Sequence, residues 1–306
     1  MEILYVTGDV MRKHLHKSFI LLIVLVLFII NYELRLLRTQ QLIGAIIKSE
    51  INYDAFGEMK VSEDELKQGE LKINKAIRKY PGLKNGTYMN PIGYLTFSML
   101  ATDFNKVKAA PMGTDVFLRC MGKLSETQNY KKLFSYYKAI FSDLRYFPVP
   151  YVLGGEADIS YADTWNVLRK YGGNHRHEGT DLMASNNEPG YFPVVSMTDG
   201  IVEKMGWLEK GGYRIGIRGV SGGYFYYAHL DSYAPELKEG DSIIAGQLLG
   251  FMGDSGYGPE GTTGQFEVHL HLGIYVPTEH GEMSINPYWI LRILEADRTR
   301  YSHEAS

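Results

Sequence analysis

The chain has 306 residues, 45% hydrophobic and 22% charged, with a formal net charge of −3. That length allows more than one domain, and the balance of apolar and charged residues excludes a disordered chain. The near-neutral charge, with no basic stripe and no interleaved aromatics, argues against nucleic acid as a partner, and a single cysteine, Cys120, excludes an internal disulfide framework.

The first feature in chain order is the uninterrupted apolar run from Phe19 to Ile30, preceded by Arg12, Lys13, His14, His16 and Lys17. As a helix, Leu15 to Tyr32 spans about 27 Å at 1.5 Å per residue, close to the hydrocarbon core of a bilayer. No small-x-small cleavage site follows, so residues 18–32 read as an uncleaved, single-pass signal anchor. Charge alone does not orient it, because Arg35 and Arg38 balance the basic residues on the other side. Leu34, Leu37, Ile43, Ile46 and Ile47 then recur at helical intervals. Ser62-Glu63-Asp64-Glu65 predicts a capping box opening a helix that Pro81-Gly82 stops, and Asn90-Pro91 opens the next. Tyr130, Phe134, Tyr137, Phe141 and Leu144 share one helical face and read as core, as Cys120 does. Residues 33–146 are therefore expected to form an α-helical module, serving as a spacer, a surface for a cell-envelope partner or a lid. Phe147-Pro148-Val149-Pro150 marks a linker at 147–150.

Past that point the pattern changes to short strands and glycine-rich turns. Ile215 and Ile217 alternate against polar neighbours, and Tyr224 to Ala228 runs into His229. The expected class is α+β: an N-terminal membrane anchor and helical module, then a mostly antiparallel β domain over 151–290 and a charged tail over 291–306, solvated from Glu295 onward. Three stretches of that domain carry chemistry: His177-Glu178-Gly179-Thr180-Asp181, Tyr227-Ala228-His229-Leu230 and His269-Leu270-His271. His269 and His271 lie two apart in an alternating apolar context, so a strand presents both on one face. The interval from His177 to Asp181 suits a helical face or a tight turn, and says only that both side chains can reach a common ion. Together these groups match a one-zinc hydrolase site, which needs three imidazole or carboxylate ligands and one open position. His175 forms a second His-x-His with His177 and could, on spacing alone, also reach a metal. A His-Glu-x-x-His helix is excluded because Asp181 stands where its second histidine would be, and Glu178 reads as a groove-edge charge.

With Pro193-Val194, Thr198-Asp199-Gly200-Ile201-Val202, Glu239-Gly240-Asp241-Ser242-Ile243, Gly246-Gln247 and Gly250-Phe251-Met252-Gly253, the stretch from Tyr161 to Pro287 resembles the M23 metallopeptidases, the LytM or lysostaphin-type endopeptidases. The resemblance implies a compact antiparallel, barrel-like sheet with one Zn²⁺ per chain on an open groove. Carried over, it makes His177, Asp181 and His271 the metal ligands and His229 and His269 the catalytic histidines, leaving open which of the two is the base. It also implies a zinc endopeptidase cutting peptide cross-bridges or stem peptides of bacterial peptidoglycan, with residues 1–17 cytoplasmic and the peptidase domain outside the cell membrane. The alternative is a non-catalytic domain of the same fold that binds cell wall or a partner protein; all five positions being filled favours the enzyme. The chain departs from the family pattern in the longer stretch from Tyr257 to Val268, and in Leu272-Gly273 where Phe-Glu is commoner.

Overall fold

The computed structural model describes residues 2–105, 112–170 and 174–303. They fall into two compact units, Met1–Ser49 with Pro111–Thr127, and Glu50–Ala110 with Gln128–Ser306. The helices in chain order are α1 (Glu2–Ile46), α2 (Tyr53–Gly57), α3 (Glu63–Lys79), α4 (Pro91–Thr102), α5 (Thr114–Leu124), α6 (Gln128–Phe141) and α7 (Pro287–Leu294). The strands are β1 (Tyr151–Val152), β2 (Ile159–Tyr161), β3 (Leu168–Arg169), β4 (His175–Arg176), β5 (Thr180–Ala184), β6 (Pro193–Val195), β7 (Gly200–Leu208), β8 (Gly212–Gly219), β9 (Tyr224–Tyr233), β10 (Ser242–Ile243), β11 (Leu248–Met252), β12 (His269–Thr278), β13 (Gly281–Ile285) and β14 (Arg300–Tyr301).

In the first unit, α1 runs through both the expected anchor and the helical-period residues after it. Its segment His14–Ile46 is long and apolar enough to cross a membrane, and its most apolar stretch is entirely unburied. A helix apolar on every side has no single face to give to a protein core. Helix α5 packs on α1, and Cys120 on α5 is buried.

In the second unit, the start and stop signals act as expected. Ser62 Oγ accepts from Glu65 N while the Glu65 carboxylate accepts from Ser62 N at 2.8 Å, and Asn90 accepts from Gly93 N at 2.9 Å. The aromatic face of α6 is core: Tyr130 and Tyr137 are buried, and the Tyr130 hydroxyl donates to Gly93 O at 2.9 Å. The helices of this unit are continuous with its sheet. Ser221 donates to Asp143 at the end of α6, Arg145 N donates to Met197 O, and Asn286 N donates to Gly57 O. Residues 147–150, expected as a linker, form a buried crossing inside the unit, with Val195 N bonded to Pro148 O. Proline carbonyls can accept even where the ring leaves no N–H to donate.

The large sheet runs β10-β7-β8-β9-β12-β5-β2, and its ladders are antiparallel. Its path is open, with β10 and β2 at its ends, so the mostly antiparallel sheet expected as barrel-like is not a closed barrel. Strand β12 is its hinge: Leu270, Leu272, Ile274 and Val276 are fully buried on one face, while His269, His271 and Tyr275 alternate onto the other. Helices α6 and α7 pack against β12. The tail is exposed at 295–297, and the chain beyond returns to the domain. Leu291 and Leu294 are buried on α7, β14 pairs in parallel with β1, and Arg298 lies 3.9 Å over the Tyr151 ring. Asn286 caps α7, its side chain accepting from Tyr288 N.

Candidate metal centre and its groove

Strands β5 and β12 set the register of the site, since Asp181 lies directly opposite His271 and Met183 opposite His269. The interval from His177 to Asp181 is neither helix nor turn. His177 follows β4, and the chain passes over the His271 ring at Gly179 before entering β5. A Cβ at Gly179 would come within 2.5 Å of that ring, so no other residue fits there. Three donor atoms converge: His177 Nε2 is 3.0 Å from Asp181 Oδ1 and from His271 Nδ1, and His271 Nδ1 is 2.9 Å from Asp181 Oδ1. These three form a cluster able to hold a metal ion. His175 lines the groove but is not among the three.

The donor chemistry fits a cation. His177 Nδ1 sits 3.0 Å from the Thr164 carbonyl, which can only accept, and 3.1 Å from Arg169 Nη2, which can only donate. Without an ion, His177 Nε2 can donate to Asp181 Oδ1; a cation between them would take the Nε2 lone pair instead, with the ring proton on Nδ1 toward Thr164 O. Arg169 on β3 holds the other carboxylate oxygen, Nη2 to Asp181 Oδ2 at 2.6 Å. Burial opposes the charged form of Asp181, but hydrogen bonds from His177 and His271 and the histidine charges outweigh it and hold the carboxyl well below its ordinary range.

His229 and His269 stand beside the cluster with ring centres 4.7 Å apart. Strict alternation along β9 would turn His229 into the core with Phe225 and Tyr227. Instead His229 has φ of 60°, and the ladder to β8 slips by one residue between Tyr227 and Leu230. This bulge returns Leu230 to the core and puts His229 on the groove. It also marks where β9 parts from β12 and pairs with β11. Both imidazoles are fixed by backbone carbonyls: His229 Nδ1 donates to Ser255 O at 2.8 Å and His269 Nδ1 to Glu267 O at 2.7 Å. Each therefore keeps an Nε2 lone pair, and His269 Nε2 lies 3.8 Å from Asp181 Oδ1. Burial, and then the charges of His269 and His271, push His229 down to about 3. Burial likewise lowers His269. The long stretch before His269 supplies part of that burial. Phe266 meets the His229 ring edge-on at 4.6 Å and the His269 ring at 5.0 Å, and Tyr257 stacks on His229 at 6.1 Å.

Five residues named from the sequence thus share one groove of about 710 Å³, which Arg214, Tyr224, Tyr226 and Tyr275 also line. Residues 175–287 match the model of peptidase family M23. A solved structure from Ruminococcus gnavus, provisionally assigned as a glycyl-glycine endopeptidase LytM, is 42% identical; it superposes with a TM-score of 0.68, covering 86% of this chain and 98% of that one. This chain belongs to peptidase family M23. A curated relative, the L-Ala–D-Glu endopeptidase of Bacillus subtilis (strain 168), is 41% identical over 184 residues, which are 60% of this chain and 52% of that protein. The chain therefore spans about half the length of that relative.

Within the M23 domain, sequence reasoning missed the roles of Arg169, Phe266 and the three carbonyls that orient the histidines. An arginine eight residues before His177 has no motif of its own, and reaches Asp181 only because β3 and β4 pair as a hairpin. The extra length before His269 was the one available sign that something covers the histidine pair.

Proposed function

We propose that this chain is a membrane-anchored zinc endopeptidase that hydrolyses a peptide bond in the stem peptides of bacterial peptidoglycan. The observation that carries this reading is the meeting, in one groove, of a three-donor cluster with two imidazoles whose Nε2 atoms are held free. In this proposal His177, Asp181 and His271 hold one Zn²⁺, which when bound supplies a Lewis acid and a more acidic water. His229 and His269 move the protons. One of the two takes up a proton at Nε2 as the water attacks and returns it to the departing amine, while the other, also with a free Nε2 lone pair, stands beside the reacting atoms, and each Nδ1 stays bonded to its carbonyl. Their burial keeps both rings neutral at ordinary pH, so the accepting lone pair is available before reaction. The B. subtilis relative supports the L-Ala–D-Glu bond as the one cut. Helix α1, long, apolar and uncovered, supports attachment to the cell membrane with the peptidase domain facing the wall.

The test uses the full chain in detergent and its Asp181→Ala variant, with zinc measured by mass spectrometry and soluble fragments released from purified peptidoglycan. About one zinc per chain, with fragments from the parent and none from the variant, is the expected result. Zinc-loaded protein that releases nothing would move the assignment to a wall-binding domain.

A further inference from the structure

Strand β8 presents two arginines to the groove side of the sheet, four residues apart, and they are treated differently. Arg218 is enclosed: it pairs with Glu203 at 2.5 and 2.8 Å and with Glu282 at 2.6 Å, and its guanidinium lies 4.7 Å over the Tyr224 ring. Arg214 lines the groove, and its Nη1 is buried with no hydrogen-bond partner among the described residues. A buried guanidinium N–H left unpaired is costly, and such groups are rare in folded proteins. The fold could have closed this one with a carboxylate, as it does for Arg218. Around it stand Tyr224 and Tyr226. Both line the same groove as Arg214, and Tyr226 pairs with Gly216, two residues along β8 from the arginine; burial raises both phenols and the Arg214 charge pulls them back down. Tyr226 in turn lies 6.1 Å from His271, ring to ring. Arg214 stands in the ladder beside the Ala228–His229 bulge, and Ala228 pairs with His271 on the next strand. Two strand spacings amount to about 10 Å, the length of roughly three extended residues, before the arginine side chain reaches back.

Resting on the peptidase reading above, we propose that Arg214 determines specificity by binding a free carboxylate on the substrate, carried within one or two residues of the scissile bond. Guanidinium and carboxylate match as a two-pronged, charge-assisted pair. In a stem peptide that continues through the side chain of D-Glu, the α-carboxylate of that residue is such a group; a glycine bridge offers none.

The experiment compares kcat/KM of the zinc-loaded full chain on two stem peptides that differ only at D-Glu, one with its α-carboxylate free and one with it amidated, together with a pentaglycine peptide. The parent should prefer the free acid by about 10- to 100-fold. Arg214→Ala and Arg214→Gln should bring that ratio close to one with zinc content kept, and Arg214→Lys should retain part of it. A parent that cuts acid and amide equally, an Arg214→Ala protein that keeps the preference, or a parent that cuts only pentaglycine would overturn this proposal and leave the peptidase standing. Turnover of none of the three peptides would overturn both.

Discussion

At one end of the groove floor, His177 and His271 face the Asp181 carboxylate at 2.9 to 3.0 Å, with Arg169 behind it. At the other, His229 and His269 face each other under Phe266, with carbonyls behind both rings and, among the described residues, no carboxylate within hydrogen-bond range. The same side chain is thus set in two environments: one gathers negative charge and suits a cation, the other is apolar and keeps an imidazole neutral. In the proposed reading, what separates a ligand from a proton carrier is the group opposite the ring, since both kinds come from the same strand, two residues apart.

The largest effects should come from crossing that division. His271→Ala should remove zinc and activity together, because the cluster loses one of three donors. His269→Ala should retain about one zinc while turnover falls roughly 10²- to 10⁴-fold, the usual worth of a placed acid–base group. Zinc content and kcat measured on both proteins decide it, and a zinc-free His269→Ala protein would merge the two environments into one.

A smaller effect is expected behind the carboxylate. Arg169→Leu frees one oxygen of Asp181, and groups that orient a ligand from behind commonly contribute 10- to 100-fold in metal affinity. Competition with a chelator should show zinc held about tenfold more weakly. Tighter binding would mean instead that the guanidinium acts mainly as a rival charge to the metal.

How much of this was legible follows from the range of each signal. The alternation around His269 and His271 is local and survives folding, so both residues stand on one face as their spacing required. The box at Ser62 and the stop before Pro81 are local too. His229 is different. Alternation alone would have buried it, and only the bulge at φ 60° turns it outward. Arg169, the buried run at 147–150 and the return of β14 to β1 depend on contacts between residues far apart in the chain. No short window of sequence contains those contacts. Nor does any periodicity tell an open sheet from a closed one, because each strand alternates the same way in both.

The last test sharpens the apolar half of the comparison. Phe266→Ala should let water reach His229 and His269, relieving the desolvation that is the first cause of both lowered values. Both imidazoles would then move back toward their ordinary value of about 6.5. Since a protonated ring cannot accept a proton, the acid limb of the pH–rate profile should shift to higher pH, with a modest loss of rate at its plateau. Stability moves in a related sense. With His229 at about 3 in the fold and near 6.5 when unfolded, the unfolded chain binds more protons between those limits. The parent therefore loses stability as pH falls through that window and is unaffected above it. In Phe266→Ala the gap narrows, so the metal-free protein should lose less stability on acidification than the parent does. Urea unfolding at pH 7 and pH 5 measures that difference. An unchanged acid limb together with unchanged pH sensitivity would show that the ring contributes packing alone, and that the neutrality of the pair comes from elsewhere in the groove.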